Sequence, residues 1–240
     1  MIFKKMSVHF KKQNWFAIFI DFLVVVFGIF IALQVTEWDV NRVNKIEEGK
    51  YLTRLNDDFS LSIERNQGAI NAINDWKRYH LKAVDSLTNQ LLQENDKASF
   101  EQSLESIFYT LSPTMVLGTI QELMSTGKLS IIQSDDVIKS VLQSQEAFKF
   151  NVILFDSMQL RTYTQSSYLD GLFAVAQIES KTNQRIVDYN FEELSKNRKF
   201  LLHLKNTIGK LETNKNWLEA LNGQLMQTKQ LIENELALRK

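Results

Sequence analysis

The chain has 240 residues, 28 basic and 28 acidic side chains, a formal net charge of zero and no cysteine. That balance lacks the basic patch or stripe of a nucleic-acid binder, and the missing thiols exclude disulfides, thiol chemistry and iron–sulfur ligation. One proline and eight glycines are too few for a sheet protein, whose turns draw on those residues, so the composition predicts an all-α chain of long helices.

Residues 1–14 form a short basic segment with Lys4, Lys5, Lys11 and Lys12. Residues Trp15 to Val35 follow as an apolar run broken only by Asp21 and Gln34. A spanning helix needs about 20 such residues, so 15–36 reads as a transmembrane helix rather than the core helix of a soluble protein. Trp15 and Trp38 bracket it, roughly 34 Å apart at about 1.5 Å per residue, which suits one indole at each membrane interface. A cleaved signal peptide ends in a small-x-small site. The exit here reads Ala32-Leu33-Gln34-Val35-Thr36, so an uncleaved signal anchor is expected. The four lysines before the span slightly outweigh Arg42, Lys45 and Lys50 after it. That bias predicts a cytoplasmic N-terminus, with residues 37–240 as a helical domain on the outer side.

Asp21 is the pointed residue of the span, because an ionisable group at a helix centre costs about 2.5–3.5 kcal/mol on insertion scales. At 100° per residue Ala17, Asp21, Gly28 and Ala32 share one stripe. Gly28 and Ala32 are a small-xxx-small pair that lets another helix approach closely. The stripe is therefore expected to pack against a partner helix or a second copy, with Asp21 hydrogen-bonded inside. The bland alternative leaves Asp21 near the headgroups or protonated.

Asp21, then Val24-Val25-Val26-Phe27-Gly28-Ile29, then Ile31-Ala32-Leu33-Gln34 and Trp38 resemble an uncharacterised family of bacterial single-span membrane proteins. In that family asparagines usually stand at the exit, where this chain has Thr36-Glu37-Trp38-Asp39. Glu122 to Leu129, leading into Ile131-Ile132, is a second, weaker similarity. The resemblance implies a bacterial inner-membrane protein and supplies no activity, cofactor or catalytic residue.

Beyond the span, Leu52, Leu55, Phe59, Ile63, Asn66, Ile70, Ile73, Leu81, Val84, Leu87 and Leu91 recur mostly at spacings of three or four. This predicts one helix from the membrane exit to about Gln93. Glu94 to Lys97 reads as a polar turn, and Ser99 with Gln102 as a capping box opening a second helix. Ser112-Pro113 is expected to start a third helix, ending at about Thr126 with Gly127 in the left-handed position. Ser134-Asp135-Asp136 opens a fourth, with Ile138, Val141, Phe148, Val152 and Phe155 on its apolar face. Around Asp170-Gly171 and from Glu179 to Asn190 the pattern decays into polar connections. From about Asn197 to Glu235 a near-heptad returns through Leu201, Leu204, Ile208, Leu211, Leu218, Leu225 and Ile232. Gly209 and Gly223 leave open whether that is one helix or two. The two long segments are expected to pair antiparallel, giving an elongated helical bundle with coiled-coil character.

Candidate chemistry is sparse. His9 lies in the basic tail; His80 and His203 lie on the two long helices, so a shared metal is conceivable. Zinc wants three or four ligands, and positions 84 and 207 are Val and Thr, so no second ligand stands at i+4. The pairs Asp57-Asp58, Asp135-Asp136 and Glu192-Glu193 diverge by 100° on a helix and do not converge on a substrate. No Glu-x-x-His, phosphate loop or nucleophile elbow occurs. No metal, cofactor or enzymatic activity is expected. Tyr163, Tyr168 and Phe173 flank a polar stretch and form the one candidate small-ligand pocket.

The sequence therefore predicts a membrane-anchored helical interaction or scaffold protein, with the lipid membrane, an envelope or membrane protein and its own copies as partners. The alternative is an extracytoplasmic ligand-sensing bundle. Only 14 residues precede the span, too few for an output domain, so such a sensor would signal through another membrane protein.

Overall fold

The computed structural model describes residues 15–177 and 185–239, without the side chains of residues 15–18, 163, 165–167, 176, 177, 185 and 186. The basic residues expected in 1–14, His9 among them, lie outside the described residues. Helix α1 (Trp15–Thr88) is followed by α2 (Glu94–Ser106), α3 (Gly118–Ser125), α4 (Asp135–Ser166), α5 (Phe191–Lys196) and α6 (Arg198–Ala237). Strands β1 (Phe173–Gln177) and β2 (Arg185–Tyr189) lie between α4 and α5. The class is all-α. The chain divides into two compact units, 1–50 and 51–240, with the boundary inside α1.

In the first unit the large apolar side chains of α1 from Phe19 to Val35 are exposed, except Leu23, which is partly covered. Among the described residues this is the one helix long and apolar enough to cross a membrane.

In the second unit, three hydrophobic clusters line the long helices. The first joins Leu52, Leu55 and Phe59 of α1 to Leu123 of α3, Val141 of α4 and Leu225 and Ile232 of α6. The second joins Ile70 and Ile73 to Leu211 and Leu218. The third gathers Ala83, Leu87, Phe100, Leu104, Phe173 and Phe200. Two polar links run the same way: Asn222 Nδ2 donates to the Ile63 carbonyl at 3.3 Å, and Lys77 Nζ donates to Glu212 Oε2 at 2.6 Å. Rising numbers on α1 thus meet falling numbers on α6. Helix α6 continues through Gly209 and Gly223 as a single helix.

Several boundaries differ from the sequence expectation. Helix α1 ends at Thr88, and the chain turns at Gln90 with φ 51°. Helix α2 then starts at Glu94, because Glu94 and Asp96 in its first turn suit the positive end of the helix dipole. Ser99 lies inside it and caps nothing. Pro113 opens no helix: residues 108–117 are a strap, and α3 begins only at Gly118. Gly127 does take the left-handed conformation, φ 69°, just past α3. At the start of α4 the Ser134 Oγ accepts from the Val137 N–H at 3.4 Å. Leu81, expected on the core side, is exposed, because the buried stripe of α1 passes through His80 and Ala83 instead.

The second difference is a β-hairpin where polar connections were expected. Phe173 pairs with Tyr189 and Val175 with Val187, antiparallel. A lone hairpin is marginal in water. Here Phe173 stacks near Phe108 and Phe200, both at 6.2 Å between ring centroids, and Tyr189 lies 5.2 Å from Phe100. Aromatic burial holds the hairpin to the helices.

Candidate interaction surfaces

On α1 the predicted stripe residues Asp21, Gly28 and Ala32 are all exposed. No atom lies within 4 Å of a Cβ built on Gly28, so a neighbouring helix has room there. Thr36 Oγ1 donates back to the Ala32 carbonyl at 2.9 Å, which satisfies the hydroxyl within the helix. Trp38 is 67% exposed. Ala17 and Trp15 belong to α1, but their side chains lie outside the described residues.

The strap 108–117 is held by side chains that sequence reading did not single out for this role. Asn66 acts like a strand neighbour: its Oδ1 accepts from the Thr114 N–H at 2.8 Å and its Nδ2 donates to the Thr114 carbonyl at 3.0 Å. Asn214 of α6 does the same for Leu111, at 3.3 and 3.2 Å. Ser62 Oγ accepts from Val116 N–H, and Asp58 Oδ2 from Thr119 N–H in the first turn of α3. Asp58, Ser62 and Asn66 stand four residues apart on one face of α1, which is why they reach successive strap groups.

The weaker similarity segment carries a clasp onto α1. Glu122 accepts from Tyr51 Oη at 2.9 Å and pairs with Arg54 at 2.5 Å, while the Arg54 guanidinium lies 5.5 Å from the Tyr51 ring centroid. The Arg54 and Tyr51 hydrogen bonds hold the Glu122 carboxyl below its usual range, and Glu122 raises Arg54 in return.

The two domain histidines are close enough to influence each other. His80 is buried, its Nδ1 within 2.7 Å of Ser103 Oγ and its Nε2 without a partner. Burial, then the charge of His203, pushes it down to about 4. His203 meets the edge of Tyr168 at 5.5 Å, its Nε2 also lacks a partner, and burial followed by Lys210 and Lys199 lowers it. Among the described residues no group of three or more His, Asp or Glu gathers around a common point. The carboxylate pairs stay apart: Asp135 and Asp136 begin α4, and Glu192 and Glu193 begin α5.

Of the predicted pocket residues, Tyr168 and Phe173 belong to the same hydrophobic cluster. Phe173 is in the core, and Tyr168 packs between His203 and Lys199, whose Nζ lies 4.0 Å from its ring centroid. Burial pushes the Tyr168 hydroxyl up to about 12. The Tyr163 side chain lies outside the described residues. Open grooves occur elsewhere. One of about 720 Å³ runs between α1 and α6 beside Ile63, Gln67 and Gly68. Another, of about 540 Å³, lies between α4 (Leu154, Ser157, Met158, Arg161) and α6 (Gly209, Lys210, Trp217). Beside it α4 leaves Phe150, Ile153 and Leu160 exposed to 60%, 62% and 67%.

These surfaces define an all-α protein with an exposed apolar N-terminal helix and open grooves between its long helices. No family model, curated protein or solved structure matches the chain.

Proposed function

We propose that the chain is a single-pass protein of the bacterial inner membrane that works as a membrane-anchored helical scaffold. Its N-terminus is cytoplasmic and its elongated periplasmic bundle engages a membrane or envelope protein, a second copy, or both. The observation that carries this reading is apolar surface exposed on both units: Phe22, Phe27, Phe30 and Leu33 on α1, and Phe150, Ile153 and Leu160 on α4. Contiguous surface of that kind needs a bilayer or a partner to cover it. The lysine bias around the span and the likeness of Asp21 to Trp38 to bacterial single-span proteins support the same reading.

Within the bilayer, the stripe of Ala17, Asp21, Gly28 and Ala32 packs on a partner helix that supplies a hydrogen bond to Asp21. Trp15 and Trp38 seat the span at the two interfaces. Crosslinking the full chain in native membranes, with Asp21→Leu alongside, tests this. The expected result is a specific product from the wild type, a partner protein or a self-dimer, that is lost in the variant. Equal products from both would remove Asp21 from the contact.

A further inference from the structure

Helix α4 has an apolar side that the second unit leaves uncovered. Phe150, Ile153, Ser157 and Leu160 fall on one stripe, with Lys149 and Asp156 along one edge and Leu154 and Arg161 along the other. The groove between α4 and α6 opens on the second edge. A single exposed leucine is ordinary, but three large apolar residues on one stripe beside a groove are not. Phe150 and the groove residue Ser157 stand seven positions apart, about 10 Å along the helix axis.

A knob and a hole on the same helix are self-complementary about a two-fold axis midway between them. That axis crosses α4 at Ile153–Leu154, and it carries the Phe150 of each chain to the groove of the other. Such an arrangement is isologous and closed, so it yields a dimer rather than a filament. We propose that this side of α4 is a self-association surface, on which Phe150 of each chain seats in the partner's groove between α4 and α6. The proposal rests on the scaffold reading above and names one partner for its helical unit.

Charge is complementary in the antiparallel arrangement. Glu146 comes opposite the partner's Arg161 across the same axis. Because an antiparallel pair lays like edges together, Lys149 comes within side-chain reach of the partner's Asp156. Asp156 and Arg161 have no ion-pair partner among the described residues, whereas Lys149 pairs within its own helix with Glu146 at 2.8 Å. A parallel pair would instead lay each Lys149–Asp156 edge along the partner's Leu154–Arg161 edge, so neither of these two pairings would form. The hole depends on Gly209, where an added Cβ would meet no atom within 4 Å.

The absence of native cysteine makes the test clean. Ile153→Cys, near the axis, is introduced into the full chain in native membranes and oxidised, with the exposed Leu202→Cys as control. Ile153→Cys is expected to give a disulfide dimer and Leu202→Cys to give none. Adding Gly209→Leu fills the groove without displacing the core and improves a helix interior. It is expected to cut dimer yield by at least about tenfold, the loss typical of one central aromatic anchor, while the melting temperature holds or rises. Asp156→Lys is expected to weaken the dimer and Lys149→Asp with Asp156→Lys to restore it. Crosslinks from Ile153→Cys to another protein only would overturn the proposal and leave the scaffold reading standing. A dimer indifferent to Gly209→Leu would remove Phe150 from the groove. No crosslink at position 153, with no product from the Asp21 experiment, would defeat both readings.

Discussion

Burial between α1, α2 and α6 strips His80 of the water that a charged imidazole needs, and Ser103 satisfies only one of its two ring nitrogens. The consequence has a definite sign. The folded-state value, about 4, lies below the ordinary 6.5. Between those values the unfolded chain takes up a proton that the folded chain refuses, so stability is full above pH 6.5 and declines as pH falls toward 4. The decline amounts to about 3 kcal/mol, at about 1.4 kcal/mol per pKa unit. Glu122 and Glu212, held down by Arg54 and Lys77 respectively, lose their contribution only below their ordinary value of 4.5. Denaturant midpoints measured between pH 7 and 5 should therefore fall for the wild type and fall less steeply for His80→Gln, which keeps a partner for Ser103 and does not titrate; His203, also lowered by burial, supplies the slope that remains. An unchanged slope in the variant would show that His80 takes up its proton in the folded chain. In a sequence, His80 reads as one polar residue in an apolar stripe, and its burial becomes legible only once Ser103 arrives from α2.

At the scale of elements, α6 shows what periodicity reveals and what it hides. Leu204, Leu211, Leu218, Leu225 and Ile232 recur every seven residues, and all are buried. That column was legible because every member is apolar. A second buried column runs through Phe200, Thr207, Asn214, Leu221 and Thr228, and its polar members read as surface. They are paired inside: Thr228 Oγ1 lies 2.7 Å from both Ser140 and Ser144 of α4, and Asn214 holds the backbone of the strap. The strap itself was read as helix because Ser112-Pro113 is a sound helix start. Long-range amides from Asn66 and Asn214 compete with it and win. Asn66→Ala leaves the Thr114 N–H and carbonyl without these bonds and should cost about 2–3 kcal/mol in unfolding free energy. Asn66→Asp keeps the acceptor and should lose less. Gly223→Ala is expected to do the opposite, raising stability by about 0.5–1 kcal/mol, because its Cβ would meet no atom within 4 Å and the helix interior disfavours glycine. Thermal melts of the three variants together test whether α6 is continuous and the strap amide-held.

For the molecule as a whole, the all-α class and the single apolar N-terminal helix were legible because both rest on composition and on one long run. The hairpin was not, since five-residue strands such as Phe173–Gln177 offer too little alternation to stand out from a polar connection. The proposed orientation follows from the lysine bias around the span and makes a direct prediction. With no native thiol, Leu91→Cys provides an exposed reporter in the second unit, on the turn after α1. A membrane-impermeant thiol reagent added to intact cells with a permeable outer membrane should label it fully. Lys4→Cys, on the other side of the span, should be labelled only after the inner membrane is broken. Labelling of Lys4→Cys alone in intact cells would invert the protein and place the α4 surface in the cytoplasm. Labelling of both at equal rates would remove the membrane from the reading, and Phe19 to Val35 would then need a protein partner to cover them.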